Sequence, residues 1–130
     1  MRRALLSLEA CKVAQYPFTP DQVVQNTDWE LYTAQIAREC MADQSPKTLF
    51  IVRGRLYELL VNAIAPELIL RKLAGELIAK VDDDLKAAVC AYASHFEHRL
   101  QLGQKALIHL EAFVARFMAL YKGYLLSLFG

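Results

Sequence analysis

The stretch Ser45-Pro46-Lys47-Thr48-Leu49-Phe50-Ile51-Val52-Arg53-Gly54-Arg55-Leu56-Tyr57-Glu58-Leu59-Leu60-Val61-Asn62-Ala63-Ile64 decides the fold. Leu49, Val52, Leu56, Leu59 and Ala63 recur at steps of three and four, the spacing of one face of an α-helix. Phe50, Tyr57, Val61 and Ile64 form a second apolar row on a neighbouring face. Two adjacent rows make a stripe wider than one core contact requires, so this helix is expected to be covered on two sides. Ser45-Pro46 supplies its start, with proline at the first helical position, where its missing N–H costs nothing.

Downstream, the same period continues. Pro66-Glu67 opens a helix through Leu70, Leu73, Leu77 and Val81. Asp82-Asp83-Asp84 places carboxylates where the positive end of a helix dipole favours them, and Leu85, Val89, Tyr92, Phe96 and Leu100 follow at helical steps. Gly103 breaks that pattern, and a last helix is predicted over 104–124 through Leu107, Leu110, Phe113, Phe117 and Tyr121. Upstream, Thr27-Asp28-Trp29-Glu30 reads as a capping box leading into a stripe of Trp29, Tyr32, Ile36 and Cys40. Before it, residues 2–15 read as a helix that Tyr16-Pro17-Phe18-Thr19-Pro20 stops, because two prolines remove donors and push the preceding residues out of the helical region. The expected class is all-α: a five-helix bundle over 28–130, a linker at 16–27 and one helix at 1–15.

Composition narrows the function. The formal net charge is +1 over 130 residues, so no global field points to nucleic acid or to an anionic surface. Hydrophobic residues make up 55% of the chain, which leaves apolar surface for partners. Cys11, Cys40 and Cys90 are odd in number and far apart, with no CxxC, so neither a disulfide framework nor a zinc knuckle is indicated and a reducing compartment is the simple reading. Cys90, within Ala88-Val89-Cys90-Ala91-Tyr92, is expected to be a buried, inert thiol. No run approaches the roughly 18 uncharged apolar residues of a membrane span, so no membrane partner is expected. His95 and His98 share a helix face and His109 lies on the next helix, but there is no HExxH or ExxH, so no metal site is expected. There is no GxSxG and no GxxxxGK[ST]; the chain is not expected to be an enzyme. Basic residues are spread among acidic ones over four helices, which describes a solvated surface better than a nucleic-acid face.

More specific is Arg53-Gly54-Arg55-Leu56-Tyr57-Glu58-Leu59-Leu60, which resembles the collar-domain signature of the third small-subunit branch of replication factor C, the eukaryotic sliding-clamp loader family. Further blocks are similar and in the same order: Gln15-Tyr16-Pro17-Phe18-Thr19, Thr27-Asp28-Trp29-Glu30, Phe96-Glu97-His98-Arg99-Leu100-Gln101-Leu102-Gly103, His109-Leu110-Glu111-Ala112-Phe113-Val114-Ala115 and Phe117-Met118-Ala119-Leu120-Tyr121-Lys122. The resemblance implies that 1–15 is the terminal helix of an AAA+ lid domain, 16–27 the crossing, and 28–130 the collar, or oligomerisation, domain. It implies a heteropentamer of replication factor C subunits that loads a sliding clamp onto primer–template DNA in nuclear replication and repair. The ATP- and Mg-binding domain, with its Walker motifs and arginine finger, lies upstream of these residues in the family, so no cofactor is expected in this stretch. Arg2 falls where the family places the lid arginine that senses nucleotide phosphate, and here it has none to sense. Tyr57, Phe117, Tyr121 and Tyr124 are the expected interface anchors, because aromatic residues are enriched in interface hot spots and these lie on the two helices richest in apolar surface. Arg53 and Glu97 stand beside Val52 and Phe96, and at least one is expected to form an ion pair that holds helices together. The competing reading is a stand-alone helical nucleic-acid-binding module.

Overall fold

The computed structural model describes residues 2, 4–6, 8–9, 28–103 and 105–129. Among them every regular element is α-helical. The chain divides into two compact units, Met1–Tyr32 and Thr33–Gly130. In the first, residues 2, 4–6, 8–9 and 28–32 are helical. The linker reading at 16–27 and the Thr27 cap lie outside the described residues.

The long helices are α1 (Asp28–Ala42), α2 (Pro46–Val61), α3 (Pro66–Lys80), α4 (Asp83–Leu102) and α5 (Ala106–Phe129). Side chains tie α1 to α2 in a compact turn. Gln44 Nε2 donates to the carbonyls of Cys40 and Met41 at 2.9 and 2.8 Å, closing two acceptors that the helix end leaves open. Ser45 caps α2 by accepting from the Thr48 amide at 3.3 Å. The Ser45 and Thr48 hydroxyls both donate to Asp43 Oδ2, at 2.7 and 2.6 Å, which holds the Asp43 carboxyl below its ordinary value. Pro66 begins α3 as its sequence position predicts.

At the far end of α2 the Ala63 and Ile64 amides donate to the Leu60 and Leu59 carbonyls, the paired bonds of a Schellman cap. Ala63 occupies the left-handed position with φ 63°, where glycine ordinarily stands, and its Cβ makes that conformation costly. Gly103 ends α4 for a different reason. Its φ is −105°, open to any residue, but a Cβ there would lie 2.6 Å from His109 Nε2. Glycine lets the His109 ring close over the α4–α5 turn.

Helix α5 is central, packing against α2, α3 and α4, while α3 and α4 pack against each other. Leu110, Phe113, Val114, Phe117 and Met118 of α5 meet the inner faces of its neighbours, led by Val52 and Leu56 of α2, Leu70 and Leu73 of α3, and Val89 and Phe96 of α4. Phe96 and Phe113 meet edge to face at 6.3 Å. By length and composition α5 is apolar enough to cross a membrane. Burial among its three helical neighbours accounts for Leu110, Phe113, Val114, Phe117 and Met118, and the helix also carries Glu111, Arg116 and Lys122.

The last helix runs five residues past the predicted end at 124. Gly123 does not stop it, because the next turn is anchored: Tyr124 Oη donates to Asp82 Oδ2 and Ser127 Oγ donates to the Tyr124 carbonyl. Asp82 is the N-cap residue of α4, yet its side chain makes no capping bond to its own helix and instead receives the Tyr124 phenol. The end of α5 is thereby fastened to the start of α4, as an antiparallel pair requires.

Candidate functional site

Helix α2 turns Val52, Leu56 and Leu59 inward, all buried. Its second row faces out: Phe50 is 74% exposed, Tyr57 58% and Val61 64%. Gly54 lies in the middle of that row, and a Cβ added there would meet nothing within 4 Å. The row spans about 17 Å at the helical rise per residue and has a notch at its centre.

Helix α5 presents a complementary strip. Ile108 and Ala119 are exposed, and Ala112 and Ala115 between them are half-buried, at helical spacing. Arg53 Nε lies 3.3 Å from Glu111 Oε2 across the α2–α5 seam. On each helix this ion pair stands between the inward positions and the outward strip, so both strips lie on one side of the seam. One flank carries Phe50 and Tyr57, the other small side chains, and the charges between them neutralise each other. At the outer edges stand Lys47, three residues before Phe50, and Arg116, between Ala112 and Ala119 in the helical pattern. Neither makes an ion pair among the described residues.

The four expected anchors fall in three environments. Tyr57 is on the exposed row. Phe117 is fully buried, and its place as an anchor is corrected to the core, because three helices pack against the inner face of α5 and this ring points into them. Tyr121 is half-buried and stacks on Phe117 at 5.6 Å with the rings 12° apart. Tyr124 is half-buried and tied to Asp82, and that hydrogen bond, more than any other cause, pushes its phenol up to about 12.

Arg53 and Glu97 each bridge two helices. Glu97 Oε1 on α4 accepts from Arg71 Nη2 on α3 at 2.7 Å, and this contact raises the Arg71 guanidinium above its ordinary value. Arg55 on α2 reaches Glu39 on α1 at 2.9 Å. These pairs fix the order of helices around the core, with modest energies at such exposure.

Cys40 is buried, and burial, more than the neighbouring Glu39, pushes its thiol up to about 12. Cys90 is exposed, which corrects the expectation of a buried thiol. Val89 takes the inward position, and Cys90, one residue on, is rotated away by the helix. Among the described residues no three His, Cys, Asp or Glu side chains are grouped to hold a metal. Arg2 is exposed on its helix.

Residues 29–125 match the family model described as replication factor C subunit 3, C-terminal domain. The chain belongs to this family. It is similar to replication factor C subunit 3 of Arabidopsis thaliana, 58% identical over 130 residues, which is 100% of this chain and 37% of that protein. It is 54% identical over 125 residues to replication factor C subunit 3 of Homo sapiens, covering 96% of this chain and 35% of that protein. A probable replication factor C subunit 3 of Dictyostelium discoideum is 48% identical over 124 residues, 95% of this chain and 35% of that protein. The chain thus spans little more than a third of these relatives. The replication factor C domain match takes in all of α2 and α5 as far as Leu125, and so includes the face just described.

That face was only partly visible beforehand. The exposed row of α2 stands in the sequence as a second apolar period. The alanines of α5, the notch at Gly54 and the edge cations were missed. The signal was Ile108 followed at helical spacing by the small residues Ala112, Ala115 and Ala119, opposite the core row of α5.

Proposed function

We propose that residues 28–130 form the collar domain of a clamp-loader subunit, preceded by the terminal helix of an AAA+ lid at 1–15 and a linker at 16–27. The collar joins the parent subunit to other replication factor C subunits in a heteropentamer. The assembly loads a sliding clamp onto primer–template DNA during replication and repair, in the nucleus. ATP and Mg are bound by a domain upstream, where Arg2 would act as the lid's phosphate-sensing arginine, and this stretch performs no chemistry. The observation that carries the reading is the outward row of α2, with Phe50, Tyr57 and Val61 all exposed in a chain that belongs to a family named as a subunit. Such a row gains by association through burial and shape, with little long-range steering at a net charge of +1. The nucleic-acid reading is not favoured, since acids and bases are interspersed and Arg53, Arg55 and Arg71 are each held by a carboxylate. Co-expression of the full-length subunit with its sister subunits, with and without residues 28–130, tests the proposal. Deletion is expected to abolish the five-subunit assembly. A truncated subunit that still assembled and loaded clamps would overturn it.

A further inference from the structure

We propose that the α2–α5 face receives one amphipathic helix of another subunit, with a bulky aliphatic side chain seated over Gly54 and carboxylates on its flanks. The inference rests on the collar reading above and specifies its partner. Three features of the face select this occupant. Its extent is about three helical turns along the α2–α5 seam, with Phe50 and Tyr57 on α2 and Ile108 and Ala119 on α5, enough length for a third helix laid over two others. Gly54 interrupts the aromatic wall with open space, and a close-packed contact requires a side chain to fill it. The charge of the face is asymmetric: Arg53 and Glu111 cancel along the seam, whereas the outer edges carry Lys47 and Arg116. Glu58, farther along the α2 edge, already has an interaction within the chain. Lys47 at one end of the α2 edge and Arg116 on the α5 edge match a helix with acidic flanks. They also disfavour a second copy of the same face, which would bring an identical set of cations to the contact.

The decisive variant is Gly54→Leu in the full-length subunit, co-expressed with its sisters. A Cβ at this position meets nothing in the chain itself, and leucine favours a helix interior over glycine. The melting temperature of the subunit alone is therefore expected to hold or rise, while the yield of assembled complex falls at least ~10-fold because the notch is filled. Lys47→Glu combined with Arg116→Glu is expected to slow association roughly tenfold at low salt, with the difference shrinking as salt rises. Tyr57→Glu is the second variant on the same wall should Gly54→Leu lower the melting temperature, and a comparable loss of assembly with unchanged melting supports the proposal. If deletion of 28–130 abolishes assembly but Gly54→Leu and Tyr57→Glu assemble like wild type, this proposal falls and the collar reading stands. If the deletion assembles normally, both fall. Association unchanged by the charge reversals rejects an acidic-flanked partner. Sedimentation showing that the full-length subunit alone dimerises, and that Gly54→Leu breaks the dimer, assigns the face to a second copy and overturns the proposal.

Discussion

Helices α2 and α5 carry the same sequence signature, more apolar surface than one core face needs, and use it in opposite ways. In α5 the bulky residues from Leu110 to Met118 are internal, whereas Ile108, Leu126, Leu128 and Phe129 remain exposed. Three helices pack against its inner face, and Phe117, chosen from sequence as a surface anchor, is 0% exposed. In α2 the inner row completes the core and the outer row remains in solvent, with Phe50 74% exposed. A wide apolar stripe therefore means several neighbours without saying whether they belong to the same chain. Position in the bundle decides: a central helix meets its neighbours inside the domain, and a peripheral one leaves a face for others.

The largest test of this contrast is a pair of truncations. Phe117→Ala is expected to cost about 3–5 kcal/mol of stability in the chain alone, and Tyr57→Ala no more than about 0.5 kcal/mol. Urea unfolding measures both, and equal losses would erase the distinction between the helices. A smaller effect concerns how firmly the end of α2 is set. Because Ala63 adopts φ 63°, Ala63→Gly is expected to stabilise by about 1 kcal/mol, read as a higher unfolding midpoint. The ion pairs come next. Arg53 and Glu111 have side chains 51% and 28% exposed, and Arg71 and Glu97 67% and 29%, so solvent screening limits Arg53→Ala and Glu97→Ala to about 0.5 kcal/mol each. A loss of several kcal/mol in a melting series would mean that the seam relies on charge more than on apolar burial.

The smallest effect is alkaline. Tyr124 binds its proton more tightly folded than unfolded, with its value raised from 10.0 to about 12. The stability it contributes is complete below pH 10.0, the ordinary tyrosine value, and is lost as pH rises toward about 12. Tyr124→Phe is expected to lose this component of the alkaline decline in unfolding midpoint, and to remove from an ultraviolet titration a phenol that ionises at about 12. A lost phenol that had titrated near 10.0 instead would show that the end of α5 is not fastened to Asp82.

Much of the fold was legible in sequence because local signals agreed with one another. Ser45-Pro46, Pro66 and Gly103 mark helix ends at the residues where the chain turns, and Val52, Leu56, Leu70, Leu73 and Leu77 lie in the core their spacing implies. The misses share a cause, since each depends on which helix lies alongside. Periodicity assigns Phe117 and Tyr57 to apolar rows without saying that one is enclosed. The last helix outruns its predicted end at 124 because Tyr124 meets Asp82, 42 residues away. Cys90 sits in an apolar run, yet helix rotation turns Val89 inward in its place. The docking face was the least legible part, because it joins two helices distant in sequence and its α5 strip is Ile108 and three alanines.

Side-chain footprinting with hydroxyl radicals tests the central contrast most directly, applied to the full-length subunit free and assembled with its sister subunits. The account predicts that Phe50 and Tyr57 react readily in the free subunit and are strongly protected in the assembly, while Phe117 is unreactive in both. Phe50 and Tyr57 labelled equally in the two states would contradict it, since the outer row of α2 would then remain in solvent with no partner over it.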